Sequence, residues 1–167
     1  MKHLLLFLLV CFSVNELAAQ CGKLTTFKIE KGRDIKNGVA SQEIPMDAKM
    51  TIDSQRIVLV VSMNGETETL DCEITGINFC EWQEYLKNGK AEYSIMMKIE
   101  NEGPMKSKFI LESENGNTTA TFFEEEKPDQ KLQFLIAEYT VTEIIIPNST
   151  PDKPFRNSKK TKRKRKS

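Results

Sequence analysis

Histidine is almost missing from this chain of 167 residues: the only one, His3, lies within the first 19. Those 19 residues read as an export signal. Lys2 opens them, an apolar run extends from Leu4 to Val14, and Leu17-Ala18-Ala19 supplies the small residues signal peptidase accepts, so cleavage before Gln20 is expected. The mature chain then has no histidine. That excludes Ser-His-Asp and Cys-His catalysis and the common histidine-bearing zinc sites. Long apolar runs are lacking too. The run in the leader falls short of the ~18 to 20 residues that cross a bilayer as a helix, no later run exceeds it, and no transmembrane segment is expected. Eight Gly and six Pro are too few for a collagen-like or broadly disordered chain. No phosphate loop, EF-hand spacing or dinucleotide fingerprint occurs, and neither a metal nor another cofactor is expected.

Cysteine is sparse, and its count is odd once the leader is removed: Cys21, Cys72 and Cys80 remain. Export makes a disulfide plausible chemistry for two of them and leaves one to explain. Cys21, next to the expected cut, also raises a lipoprotein-type anchor, although Gln20 is not the small residue such a signal prefers. A net charge of zero hides a strong asymmetry. Residues 153–167 hold nine Lys or Arg and no acid, whereas residues 20–152 hold 14 basic against 23 acidic, a net of 14 − 23 = −9. The expected organisation is a signal peptide over 1–19, one domain over 20–147 and a disordered basic tail over 148–167.

What the chain does have is turn signals. Asn-Gly occurs at Asn37-Gly38, Asn64-Gly65, Asn88-Gly89 and Asn115-Gly116. Both residues accept the positive φ of a type I′ hairpin. Softer turns are expected at Thr75-Gly76-Ile77, Glu102-Gly103-Pro104 and Lys127-Pro128-Asp129. Together they divide residues 57–136 into seven antiparallel strands. Because paired residues face one side, these loops align Leu59, Leu70, Trp82, Ile95, Leu111, Ala120 and Ile136 in one row. Ile57, Cys72, Cys80, Met97, Phe109, Phe122 and Phe134 form the next. Further strands are expected at Leu24–Glu30 and Thr140–Ile146. Residues 78–87 read as a strand, with a short helix as the alternative.

The fold class is therefore all-β: an antiparallel up-and-down meander of about 8–9 strands, closed into a small barrel or folded as a β-sandwich. Over residues 24–146 the layout resembles the lipocalin and avidin group in size and strand order. The Gly-x-Trp of lipocalins has no counterpart around the sole tryptophan, Trp82, so the resemblance carries over no binding residues.

Candidate sites follow from the proposed register. Cys72 and Cys80 fall opposite each other across the Gly76 loop, close enough for a disulfide. Trp82, Phe109, Phe122, Phe134, Leu111 and Met97 line the barrel axis, either filling it or enclosing a ligand cavity. Glu68, Glu84, Tyr93 and Glu138 form a polar barrel mouth. There Glu68 faces Glu84, a pair whose most ambitious reading is glycoside hydrolysis. Lys159, Lys160, Lys162, Arg163, Lys164, Arg165 and Lys166 supply a polyanion-binding tail without the interleaved aromatics that base recognition needs, so no sequence-specific nucleic acid is expected as a partner. The expected function is non-enzymatic: a secreted barrel binding a small hydrophobic or amphipathic ligand. The alternative is an extracellular or cell-envelope module attached by its tail to an anionic surface or polyanion.

Overall fold

A computed structural model describes residues 21–63, 65–98 and 103–142. The leader, most of the expected last strand and the whole basic tail lie outside the described residues. Every regular element described is a strand: β1 (Leu24–Lys36), β2 (Val39–Ala40), β3 (Ile44–Ile52), β4 (Arg56–Met63), β5 (Glu66–Glu84), β6 (Asn88–Lys98), β7 (Met105–Glu114), β8 (Asn117–Glu124) and β9 (Gln130–Thr142). Neighbouring strands are antiparallel throughout the order β2-β1-β3-β4-β5-β6-β7-β8-β9, and β1 also pairs with β9. The sheet thus closes as an eight-stranded barrel, with β2 as a short flap on β1. Closure removes the sheet edges and gives the single apolar face a covered interior. The barrel, not the sandwich, is the outcome.

Asn-Gly chemistry sets much of the register. Asn37 and Gly38 have φ of 53° and 78°, and Asn115 and Gly116 have 52° and 82°, the geometry of type I′ turns. Between β4 and β5, Ile57 pairs with Cys72 and Leu59 with Leu70. Across Asn115-Gly116, Phe109 pairs with Phe122 and Leu111 with Ala120. Both pairings agree with the rows expected from sequence, whereas β6–β7 is offset from them by four residues (Ile95 pairs with Ser107, not Leu111) and β8–β9 by two (Ala120 pairs with Phe134, not Ile136).

Two expectations fail in the middle of the chain. Gly76 is not a turn. β5 passes straight through it for 19 residues, absorbing the irregularity as bulges near Ile74–Gly76 and Ile77–Phe79. Asn88-Gly89 is not a hairpin either, because the β5–β6 turn lies one step earlier, with Leu86 at φ 59° and Lys87 N–H donating to the Glu84 carbonyl at 3.0 Å. Seven expected strands over 57–136 are therefore six. The barrel reaches eight because β3, which the turn pattern did not predict, inserts between β1 and β4. Residues 78–84 are strand and 85–87 turn, so the helical alternative falls away.

The interior is occupied by large side chains. Phe27, Ile29, Met50, Ile57, Cys72, Leu86 and Phe109 are fully buried, at 0% exposure. Across β6 to β9 the rings of Tyr93, Phe109, Phe122 and Phe134 follow one another at centroid separations of 5.8, 4.6 and 5.9 Å. Such tilted and edge-on contacts favour ring quadrupoles beyond simple area burial. Gly32 on β1 lies opposite Phe134, and a Cβ there would stand 3.3 Å from the Phe134 ring and 2.5 Å from the end of Met46. The glycine makes room for the last ring of the ladder.

Candidate functional site

Antiparallel succession sorts the loops onto two ends of the barrel. At one end lie Cys21–Lys23 and the β3–β4, β5–β6 and β7–β8 turns. At the other lie the Asn37-Gly38 hairpin, the β8–β9 turn, the end of β4 beside the start of β5, and the end of β6 beside the start of β7. The two ends are built from different chemistry.

The first end is closed. Cys21 is bonded to Cys80 of β5, with their Cα atoms 6.2 Å apart. The Tyr93 hydroxyl donates to the Cys21 carbonyl at 3.1 Å, and Thr25 and Tyr85 hydroxyls are 2.9 Å apart. Tyr85 stands edge-on to Trp82 at 5.4 Å. Leu86, wholly buried, seals the axis. Its carbonyl accepts from Ser113 Oγ at 2.8 Å and Thr118 Oγ1 at 3.3 Å, and the Lys87 carbonyl accepts from Gly116 N–H at 2.9 Å. A bulky residue at positive φ is unusual, and these bonds hold it there. Gly89 is required beneath the same turn. At φ 148° its hypothetical Cβ would stand 2.3 Å from the Glu81 carbonyl oxygen and 2.7 Å from Trp82 Cα. Burial pushes both the Tyr93 and the Tyr85 phenols above their ordinary range, the latter opposed by the Thr25 hydrogen bond.

The second end is open. A cavity of about 400 Å³ is sunk into it, with Leu70, Met97, Met105, Phe122 and Phe134 as its apolar surface. Asp34, Lys36, Glu124 and Lys127 stand around it. Lys127 is paired with Glu124 at 2.7 Å, and with Lys131 the rim carries three cations against two carboxylates. Lys131, at the edge of the same cavity, places its ammonium 5.0 Å from the centroid of the Phe123 ring.

The residues singled out from sequence are distributed over both ends. Met97, Phe122 and Phe134 line the open cavity, Phe109 and Leu111 are packed in the core, and Trp82 belongs to the closed end. The four expected mouth residues do not form one mouth. Glu68 and Glu84 lie near opposite ends of β5, Tyr93 is buried at the closed end, and Glu138 is exposed opposite Lys28. Glu84 instead forms an ion pair with Lys87. The Glu68–Glu84 pairing is therefore withdrawn, and with it the paired-carboxylate geometry for glycoside hydrolysis.

The expected Cys72–Cys80 disulfide is also corrected. Both cysteines are on β5, and eight residues of strand hold them roughly 25 Å apart. Cys80 bonds Cys21 instead, leaving Cys72 as a free thiol wholly buried in the core. Burial, reinforced by Asp71, pushes that thiol up to about 12, so it is an inert packing group. With its sulfur in the disulfide, Cys21 has none left for a lipid, which removes the anchoring alternative. The bond fits an oxidising location, extracellular or periplasmic. Among the described residues no helix is long and apolar enough to cross a membrane, and no group of three or more His, Cys, Asp or Glu is placed to hold a metal. The tail residues Lys159, Lys160, Lys162, Arg163, Lys164, Arg165 and Lys166 lie outside the described residues.

Sequence reasoning missed Met105, Leu70 as a lining residue, and the whole closing role of Leu86. Leu70 and Met105 were visible as inward positions near strand ends. Leu86 carries no signal, since nothing in a leucine announces a positive φ. Comparison with known proteins returns no match: no family model, no curated protein and no solved structure is similar to this chain. The likeness in layout to lipocalins and avidins accordingly carries no functional assignment.

Proposed function

We propose that this protein is an exported, non-enzymatic barrel that binds a small hydrophobic or amphipathic ligand at its open end. The observation that carries the reading is the cavity itself: about 400 Å³ of space bounded by Leu70, Met97, Met105, Phe122 and Phe134 and open to water. Apolar surface left concave at the end of a closed barrel is what ligand sites have in common, and its volume falls in the range of small-molecule pockets. The two methionines add adaptable, polarisable contacts suited to an apolar guest. The polar groups around the cavity are ion-paired or solvated rather than converging on one point, which favours binding over catalysis.

A neutral fluorophore, 1-N-phenylnaphthylamine, tests the reading. Saturable uptake at one site per chain is expected, and it should be lost in Leu70→Trp, where an indole would occupy the cavity. Absence of saturable uptake by the unaltered protein would overturn the proposal, as would uptake indifferent to Leu70→Trp in a protein that remains folded.

A further inference from the structure

The ligand-binding reading can be carried to a class of ligand, on the condition that the open cavity is the binding site. Two features limit what fits there. The first is depth. The barrel interior beside the cavity is packed: the Phe109 ring lies 4.6 Å from that of Phe122, and Phe109, Leu111 and Ile95 are each 0 to 1% exposed. The guest can therefore not run down the axis, as it would in a hollow barrel. About 400 Å³ at about 30 Å³ per water-sized group holds about a dozen methylene-sized groups. The second feature is the rim. Lys36, Lys127 and Lys131 stand against Asp34 and Glu124, a net of 3 − 2 = +1. Such a rim favours an anionic headgroup only slightly, because it borders open solvent.

We infer that the open end takes a single-chain amphiphile end-on, its tail tip resting on Phe122 and Phe134 and its headgroup left in water at the mixed-charge rim. A two-chain lipid exceeds a site of about 400 Å³ with a packed core beside it. A single alkyl chain fits, and Met97 and Met105 can adjust around it. The consequence is a chain-length limit set by the packed core. Each methylene that enters improves affinity about fourfold, and each methylene beyond the limit remains in water and adds nothing.

The test displaces bound 1-N-phenylnaphthylamine with two homologous series, sodium alkanoates and alkyltrimethylammonium salts from C6 to C16, each below its micelle threshold. The expected result is a rise of about fourfold per methylene that flattens near C10 to C12. At equal length the alkanoates should bind better by no more than about threefold, because the rim's single excess positive charge is exposed to solvent. Met105→Trp should move the plateau to shorter chains and Met105→Ala to longer ones, with both variants still folded by circular dichroism. Affinity that climbs steadily to C16 would overturn the inference, since the core would then be penetrable. So would a tenfold preference for one headgroup sign, or a plateau that neither Met105 variant moves. In all of these the fluorophore still binds and the ligand-binding reading survives. If the fluorophore itself does not bind, both fall together.

Discussion

The two ends of the barrel are closed and opened by opposite means. At the closed end a disulfide, four hydroxyl hydrogen bonds and a glycine packed against Trp82 hold every group in one place. At the open end, methionine thioethers and a pair of rings face the solvent side with no such bonds fixing them. Directional bonds specify one geometry, while dispersion contacts tolerate several. The molecule therefore concentrates its specificity where it must exclude water and relaxes it where a guest can enter.

Substitutions at the closed end should then lower stability and spare the cavity, and the largest effect is expected from the disulfide. The bond spans 59 residues of sequence. Replacing both Cys21 and Cys80 by Ala should cost about 4 kcal/mol by the chain-entropy relation, read as a shift in the urea midpoint, while fluorophore affinity changes less than about twofold. Gly89→Ala comes next. Its Cβ would meet backbone on two sides at a φ that side chains rarely adopt, and a loss of about 3 kcal/mol is expected. If either variant also abolished binding, the two ends would not be independent.

Alkaline titration sharpens the same contrast. The Cys72 thiol, held at about 12 in the fold, returns to its ordinary value of 9.0 when the chain unfolds. A folded value above the unfolded one contributes stability that is complete below pH 9 and is lost as the pH climbs toward 12. The Tyr85 and Tyr93 phenols, also raised, add a loss in the same direction above about pH 10. Urea midpoints measured from pH 8 to 11 should fall, and Cys72→Val should flatten the portion that begins near pH 9. The smallest effect is expected at the open end. Met105→Leu, partly exposed and similar in volume, should cost less than about 1.5 kcal/mol while altering fluorophore affinity, the reverse of the closed-end pattern.

Much of the wall was legible in the sequence because its turns are chemically explicit. Asn115-Gly116 fixes Phe109 against Phe122, and the register expected from the Asn64-Gly65 signal puts Ile57 against Cys72, as observed. Glycine without asparagine proved ambiguous: Gly76 looked like a turn and is a bulge, so one long strand was read as two. That misreading moved Cys80 beside Cys72 and Glu84 beside Glu68. The overlooked strand β3 was available in the alternation of Ile44, Met46, Ala48, Met50 and Ile52, although Pro45 argued against it. Its omission and the division of β5 offset each other, which is why the barrel was expected for partly wrong reasons. The closed end was the least legible region, because it depends on contacts between residues such as Cys21 and Tyr93, 72 positions apart, that no local pattern encodes.

The most direct test of this division of labour is methyl NMR on protein carrying ¹³C-labelled methionine, titrated with 1-N-phenylnaphthylamine. Met97 and Met105 line the open cavity, Met50 is buried at 0% exposure in the core, and Met96 alternates to the outer face. Ring-current shifts are expected at Met97 and Met105 that saturate together, with Met50 and Met96 unmoved. A shift at Met50 of comparable size, or no shift at Met97 and Met105 at saturation, would contradict this division.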